Sequence, residues 1–547
     1  MVMLTSGVIT AASKGVGPRN SRGAGPLGSA PQLRLSEGVL MLKFEIHAVD
    51  IGRQDWRRDG AVWTSGSSWI EPLVNPVLES ALDVSMPGEC VVTVRERDTA
   101  GDMRLRLTAG NMRAWPGDHV TLELAQGRVT VHAGVMGTAP IHIAARNGVF
   151  VGSWNLAELR SWFDVAKLNG PSVVRALLRN PVYASATMFD GVHRVTERAT
   201  ATMTSTGIQV TYPDPADHIL AARDLADTVD AVGAFEKVLT YVVQRLPDPD
   251  GTAAVELSGG ADSANVLLTA AERYRVVRTV GIEVSGRAGR EQRYRRRTLA
   301  GHVGAVDEVV HARDHLPFDP SIRKQPHSPS TAYYREAFDA MRDRVSAASA
   351  RVVYLGLGGD EVNALHPGEQ VADSPTNGYG HLPPPPWLGP RAWGSLGDLE
   401  ADAAPVSVVP LPTLDAFALH NPTYLDAGIW PVAPLAHPLV GRFTEQLPAS
   451  QRRGKRMFRE RLARAGMTSR VTHPGEPESF LDLMECGMRT NGLLALKQIQ
   501  SESLLAEDGW INHAGLVDAI DRYESTGKAD PRLADLVTVE LGLRSLQ

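Results

Sequence analysis

The segment Ser258–Ser263 has side chains of the kind that bind nucleotide phosphates. Its sequence is S-G-G-A-D-S, and it stands between an apolar run that ends at Leu257 and a second one that begins at Ala264. A strand, a turn and a helix in this order place backbone N–H groups and the positive end of a helix dipole at the turn. The segment has no Gly-Lys-Ser/Thr, as a Walker loop has, and lacks the first glycine of a nucleophile elbow. The pattern therefore favours a phosphate site over a plain turn.

Each residue type in this turn has a predicted role. Gly259 and Gly260 have no Cβ, so the backbone can approach a pyrophosphate closely. Ser258 and Ser263 supply hydroxyl donors. Asp262 would repel a phosphate unless a divalent cation lay between them, and Mg²⁺ binds one or two carboxylates together with phosphate oxygens. We therefore predict a site for ATP and Mg²⁺ from which pyrophosphate leaves.

A second glycine-rich segment, Gly356–Glu361, again follows an apolar run. If both runs are strands of one parallel sheet, this segment lies at the same edge of the sheet as Asp262. We predict that Gly358 and Gly359 contact the nucleotide and that Asp360 joins Asp262 on the metal. The alternative is a glycine turn in which Asp360 caps a helix.

The elements that must position these segments alternate between strand and helix from residue 251 onwards. Such alternation predicts a parallel sheet with helices on both faces, and ligands at the carboxyl ends of its strands. The predicted strands are 253–257, 276–284, 306–311 and 352–355, and the predicted helices are 262–271, 290–302 and 332–348.

The first part of the chain, residues 41–215, has short alternating apolar runs separated by turn signals, which predict a mostly β domain. The predicted strands are 42–47, 90–94, 103–107, 120–124, 129–132, 141–144 and 149–152, followed by helices at 156–163 and 173–178 and a hairpin at 198–205 and 208–212. Residues 216–246 are predicted to be helical.

Two later regions bear on the site. Residues 364–420 are rich in proline and glycine and predict no regular element, although Trp387, Trp393 and Tyr379 are candidates for lining a peptide groove. Residues 451–465 predict a basic helix with Lys455 on one face, where a cation could stabilise a pyrophosphate leaving group. A solvated basic face is the alternative.

Composition limits the function classes. The 547 residues predict two domains or more, and the net charge of −6 argues against nucleic acid as the main partner. The two cysteines, Cys90 and Cys486, suit a reducing cytoplasm. We find no run of about 18 apolar residues and predict no membrane span. Residues 1–40 are predicted to be a disordered extension or to precede the true start.

These motifs resemble the asparagine synthetase family. Ser258–Ser263 looks like its S-G-G-x-D-S, and Gly356–Glu361 looks like its G-x-G-(S/A/G)-D-E. Pro434–Pro448, followed by Gly454 and Lys455, is similar to its late L-P…K region. The resemblance implies an α/β protein with an N-terminal, Ntn-type amidotransferase-like domain and an ATP-pyrophosphatase domain of the adenine nucleotide α-hydrolase-like kind. The implied boundaries are 41–215 and 216–547.

Departures from the family pattern bear on the amine donor. Glutamine-dependent members carry a cysteine directly after the initiator methionine, whereas this chain has Val2, and Leu42 after Met41. The implied first domain is therefore a degenerate amidotransferase that does not supply ammonia. Leu357 replaces the tyrosine of β-lactam synthetases, and His473 stands where those enzymes have a lysine. The tail from Cys486 to Trp510 looks most like the macrolactam cyclases of lasso peptide biosynthesis.

The resemblance implies a cytoplasmic ATP-dependent carbon–nitrogen ligase that adenylates a side-chain carboxylate of a precursor peptide and closes the ring with the N-terminal amine. Lys455 or His473 would stabilise charge, and Glu361 or His473 would accept a proton. A leader peptidase and a leader-binding protein are the implied partners. The alternatives are a β-lactam synthetase-like or other small-molecule amide ligase, an asparagine synthetase homologue using an external amine, and a non-catalytic scaffold.

Overall fold

The computed structural model describes residues 42–99, 115–219, 221–226, 228–247, 251–366, 369, 383–476 and 479–547. The predicted extension 1–40, the predicted strand 103–107 and Tyr379 lie outside the described residues. The strands are β1 Leu42–His47, β2 Arg57–Asp59, β3 Val62–Ser65, β4 Ser68–Pro72, β5 Leu78–Asp83, β6 Glu89–Glu96, β7 His119–Ala125, β8 Arg128–Ala133, β9 Ile141–Arg146, β10 Val149–Ser153, β11 Val192–Val195, β12 Thr200–Thr204, β13 Gly207–Thr211, β14 Thr252–Glu256, β15 Val276–Glu283, β16 Val306–His311, β17 Val352–Tyr354 and β18 Trp430–Val432.

The helices connect and cover these strands. They are α1 Gly170–Leu177, α2 Ala231–Gln244, α3 Ala261–Arg273, α4 Gly286–Val303, α5 Pro320–Arg323, α6 Arg335–Ala347, α7 Pro390–Gly394, α8 Leu411–Leu425, α9 Pro438–Glu445, α10 Ala449–Arg452, α11 Arg456–Arg464, α12 Ser469–Thr472, α13 Leu481–Gly487, α14 Leu493–Ser501, α15 Leu504–Glu507, α16 His513–Thr526 and α17 Arg532–Ser545. Short 3₁₀ turns lie at Ala48–Asp50, Leu156–Trp162, Glu361–Asn363, Leu396–Asp398, Pro434–Ala436 and Arg453–Lys455, and a π turn lies at Met488–Gly492.

Two antiparallel sheets form the first part of the molecule. Their strand orders are β11-β9-β10-β1-β4-β3-β2 and β13-β12-β8-β7-β6-β5. Alternation along the strands sends side chains of both sheets, such as Phe44 and Ile70 from one and Leu122 and Val131 from the other, into a shared core. The alternating runs therefore predicted the β character correctly. They missed β2–β5: the exposed polar residues of β2 and the weak alternation of β5 give little signal, whereas β3 and β4 do alternate but are only four and five residues long.

A five-stranded parallel sheet, ordered β16-β15-β14-β17-β18, follows. The residues of β14 alternate between two clusters: Ala253 and Val255 pack with α2 and α3, while Ala254 packs with α6 and α8. The predicted parallel sheet with helices on both faces is confirmed, and the mixed α/β class with it. The edge strand β18 was not predicted, because it is short and contains Pro431.

Three sequence-based expectations were wrong in part. Among the described residues of the segment 216–246, only Ala231–Gln244 are helical; Ala216 and Arg223 donate backbone hydrogen bonds to Val406 and Gln446 instead of within a helix. Residues 364–420 contain α7 and the first turns of α8, because proline in a first helical turn favours a helix start. Residues 156–163 form a 3₁₀ helix, Leu156–Trp162, rather than an α-helix.

The helices after α13 pack away from the parallel sheet. Leu496, Leu516 and Leu536 share a buried cluster with Val173 and Leu177 of α1. The carboxyl-terminal helices thus cover the outer side of the antiparallel region. No helix in the described part of the chain is long and apolar enough to cross a membrane.

Candidate functional site

The first glycine-rich segment forms a tight loop between β14 and α3. Gly259 has φ +90°, a conformation that residues with a Cβ rarely adopt, so the backbone there favours glycine; a Cβ would meet Gln292 and Arg295 at an ordinary contact distance of 3.4 Å. Ser258 and Ser263 share a hydrogen bond between their hydroxyl oxygens at 3.2 Å, and Gly260 N–H donates to the Ser258 hydroxyl at 3.1 Å. Gly260, the cap of α3, offers no side-chain cap. The loop therefore presents hydroxyls and the amino end of a helix.

The second segment reaches the first across the edge of the sheet. It follows β17, the strand that pairs with β14 in parallel. Gly358 has φ +90°, and a Cβ there would lie 2.8 Å from the backbone of Ala436. A Cβ on Gly359 would lie 2.3 Å from Asp262 Cγ. Glycine at position 359 thus lets the two loops approach closely, and glycine at 358 leaves room for the backbone of Ala436. The two segments meet at one edge of the sheet, as predicted.

Lys455 joins the two loops. Its Nζ lies 2.5 Å from Asp262 Oδ2 and 2.7 Å from Asp360 Oδ1. The expected helix through 451–465 was right only in part: α11 covers Arg456–Arg464, but Gly454 and Lys455 have φ of 60° and 55° and interrupt the helix. This left-handed break turns the lysine onto the carboxylates. Three positions far apart in sequence therefore meet at one ion-pair cluster, which we call the carboxylate–lysine cluster: Asp262, Asp360 and Lys455.

Burial and charge act against each other in this cluster. Loss of solvent raises the pKa of Asp262 to about 6, and the charge of Asp360 adds to this, while Lys455 opposes it. Burial lowers the pKa of Lys455, but its two carboxylate partners outweigh that effect and raise it, so the lysine is a cation. Burial also raises the pKa of Glu361, the first residue of the turn after Asp360. A carboxylate with a raised pKa is a stronger proton acceptor.

The donor set fits a cation bound jointly with phosphate. Asp262 Oδ1 is buried and accepts no hydrogen bond from the residues described, so it has a lone pair to offer. No group of three or more His, Cys, Asp or Glu side chains converges in that part of the chain. Two carboxylates alone match the way Mg²⁺ is held when phosphate oxygens complete its shell. Lys455 would have to turn from the carboxylates towards the phosphates when Mg²⁺ bound.

Two buried side chains that the sequence did not single out hold the first loop in place. Arg295, with no exposed surface, donates from Nε to Gly259 O at 3.0 Å. Gln292 donates from Nε2 to Ser258 O at 3.0 Å and accepts from Val284 N–H. Both lie on α4, which was predicted as a helix. Arginine is rarely buried, so only the density of arginines in this helix could have marked it.

A second set of buried hydrogen bonds positions α3 relative to α11. Asn265 is fully buried and donates from Nδ2 to Phe458 O at 3.2 Å, and Arg461 donates from Nη1 to Asn265 O at 2.9 Å. These bonds link the helix that carries Asp262 to the helix that follows Lys455. The cluster thus depends on side chains outside the motifs.

The remaining predicted residues are placed differently. His473 is exposed. Among the described residues, its ring forms a hydrogen bond with Thr472 Oγ1 at 2.9 Å and none with the carboxylate–lysine cluster. Trp387 has no exposed surface and packs with Leu505 and Trp510, so its predicted place in a peptide groove was wrong. Trp393 is half exposed.

Comparisons with known proteins give little further guidance. No protein-family profile and no curated protein matches the chain. Among solved structures, an allosteric regulatory enzyme of purine biosynthesis is 8% identical, covers 45% of this chain and 67% of its own, and has a TM-score of 0.19. Glutamine phosphoribosylpyrophosphate amidotransferase from B. subtilis, complexed with ADP and GMP, is 9% identical, with coverage of 50% and 75% and a TM-score of 0.18. Scores of this size establish neither a shared fold nor a shared activity.

Proposed function

We propose that this chain is an ATP-dependent carbon–nitrogen ligase that activates a carboxylate as an acyl-adenylate and joins it to an amine. The observation that carries the proposal is the position of Lys455 Nζ, 2.5 and 2.7 Å from Asp262 and Asp360, beside the serine- and glycine-lined loop. A cation held by two carboxylates next to a phosphate-binding helix end suits a reaction in which pyrophosphate departs.

In the first step the substrate carboxylate oxygen attacks the α-phosphorus of ATP. The bond from that phosphorus to the bridging oxygen breaks, and pyrophosphate takes the electron pair. The Ser258 hydroxyl and the amino end of α3 bind the departing phosphates, and Lys455 neutralises their charge. Asp262 and Asp360 would hold a Mg²⁺ ion, which supplies further charge neutralisation when bound.

In the second step an amine nitrogen attacks the acyl carbon. The bond to the AMP oxygen breaks, AMP takes its electron pair, and the nitrogen loses a proton. Among the described residues, Glu361 is the acceptor that we propose, because it adjoins Asp360 and burial raises its pKa. His473 is the weaker candidate, since its side chain is exposed and bonded to Thr472.

The substrate we propose is a lasso precursor peptide, whose side-chain carboxylate is adenylated and whose own N-terminal amine closes the ring. The resemblance of the tail from Cys486 to Trp510 supports this choice. Holding both groups of one peptide in one site gives the amine a high effective concentration. A leader peptidase and a leader-binding protein would prepare that amine.

Pyrophosphate release tests the proposal. Peptides encoded beside this gene, freed of their leaders, should stimulate release of pyrophosphate from ATP and yield AMP and a peptide lighter by one water. Formation of ADP and inorganic phosphate instead would overturn the adenylation step. Adenylation with external ammonia or a separate amine as the preferred acceptor would overturn the ring closure.

A further inference from the structure

The inner and outer faces of helix α4 carry side chains with different roles. Its inner face carries Gln292 and Arg295, which hold the Ser258–Ser263 loop through Ser258 O and Gly259 O. Its outer face exposes Arg290, Arg293 and Arg297. A helix is about 10 Å across, so the outer face lies about one helix diameter from the phosphate loop.

The outer face carries positive charge that the described residues do not neutralise. Arg293 pairs with Glu283, and the buried Arg296 pairs with Asp307 at 2.5 Å. Arg290 and Arg297 form no ion pair with any residue that the structure describes. They are seven positions apart, which is about 10 Å along a helix. Two guanidinium groups are thus available on one face of a chain whose net charge is −6.

The same face is concave and includes an aromatic ring. A hollow of about 400 Å³ is lined by Arg290, Arg293, Tyr294, Arg297 and Thr298. A neighbouring hollow of about 350 Å³ shares Arg293 and Arg297. The guanidinium of Arg470, which pairs with Glu291 at 2.8 Å, lies 3.7 Å from the centre of the Tyr294 ring. We call this surface the α4 groove.

We propose that the α4 groove binds an acidic segment of a polypeptide in extended form. In an extended chain of the polyproline II kind, residues three apart share one face and lie about 9 Å apart, which is close to the separation of Arg290 and Arg297 along the helix axis. Each guanidinium group can pair with a separate carboxylate of such a segment. The net charge of −6 disfavours a polyanion such as a nucleic acid, so a peptide with a few acidic residues fits better.

Binding to a labelled peptide tests this inference without ATP, so the result does not depend on the proposed reaction. The probe is a fluorescein-labelled 12-residue peptide of serine and glycine with glutamate at every third position, and the matched peptide has glutamine instead. Anisotropy is measured with the full chain, with Arg290→Glu/Arg297→Glu, and with Arg128→Glu/Arg522→Glu. The last variant makes the same charge change at exposed arginines elsewhere.

The glutamate peptide should bind the natural chain at least tenfold more tightly than the glutamine peptide does, and more weakly as salt rises. Charge reversal at 290 and 297 should weaken binding at least tenfold, and the control variant should change it less than twofold. If the reversal variant fails to fold, Arg290→Gln/Arg297→Gln gives the same test with an expected loss of about threefold. Equal losses in groove and control variants, displacement by equimolar inorganic phosphate, or tighter binding of a 12-nucleotide single strand would each overturn the proposal.

Discussion

Two ion-pair clusters of similar chemistry lie in different surroundings. In the first, Arg245 and Glu96 pair at 2.8 Å, with 3% and 6% of their side chains exposed. In the second, Lys455 pairs with Asp262 and Asp360, and the side chains are 22%, 21% and 55% exposed. The first joins the antiparallel region to α2, and the second opens at the edge of the parallel sheet.

The partners of each cluster show what it does. Glu96 also accepts from Trp430 Nε1 at 2.9 Å and from Asp118 N–H at 3.1 Å, so its oxygens are used within the protein. Asp262 keeps one oxygen that accepts nothing from the described residues. A buried charge pair whose carboxylate oxygens are all bonded within the protein stabilises the contact between regions, whereas a more exposed pair with an unbonded carboxylate oxygen is available to a ligand. Burial and the bonding of the carboxylate oxygens, rather than residue type, separate the two.

Arg245→Met should lower the free energy of unfolding more than any other variant considered below. It leaves Glu96 buried without its cation, which costs about 3–5 kcal/mol. Urea denaturation would show this as a lower midpoint. The turnover per folded molecule should not change, because Arg245 lies outside the carboxylate–lysine cluster. If the urea midpoint fell no further in Arg245→Met than in the matched Lys455→Met variant, the difference drawn here between the two ion-pair clusters would be contradicted.

Lys455→Met should have the opposite effects: a large loss of turnover and a small loss of stability. The lysine lies in a partly solvated cluster, so the free energy of unfolding should fall by less than about 1 kcal/mol. Loss of the cation beside the leaving pyrophosphate should lower turnover about 10²–10³-fold. Pyrophosphate release and urea denaturation on the same preparation measure both quantities. If this variant kept the turnover of the natural chain, Lys455 would have no role in the proposed reaction.

Asp118, whose backbone N–H donates to Glu96, predicts that the stability of the fold depends on pH. Burial, with the charge of Glu96 added, raises the pKa of Asp118 from 3.8 to about 6. The folded chain therefore binds this proton more readily than the unfolded chain, so stability should fall as pH rises from about 4 to 6 and then level off. The full effect is at most about 3 kcal/mol. Other buried carboxyls share this sign, so Asp118→Asn should flatten the profile only in part; an unchanged profile would contradict the assignment.

His473→Ala should have the smallest effect. Its side chain is exposed and bonded to Thr472, so the free energy of unfolding should change by less than about 0.5 kcal/mol. Turnover should stay within about threefold of the natural chain, since Lys455 already supplies the cation. A loss as large as that of Lys455→Met would return His473 to the site.

The sequence predicted the glycine loops because their signal is local: glycine, serine and aspartate lie within six residues after an apolar run. It named Lys455 but assigned it to a continuous helix, since nothing in the pattern reveals that Gly454 and Lys455 adopt positive φ. The pair Arg245 and Glu96, 149 positions apart, and the buried Arg295 escaped prediction altogether. Long-range pairing of charged residues has no periodic signature, so only the folded structure reveals it.

Isotope transfer tests the central claim most directly. A candidate peptide whose side-chain carboxylate carries ¹⁸O at both oxygens is incubated with ATP, Mg²⁺ and the protein, and the phosphorylated products are analysed by mass spectrometry. Attack of that carboxylate on the α-phosphorus predicts one ¹⁸O atom in AMP for each ring closed, and none in pyrophosphate. The label in inorganic phosphate, with ADP as the other product, would contradict the proposed adenylation.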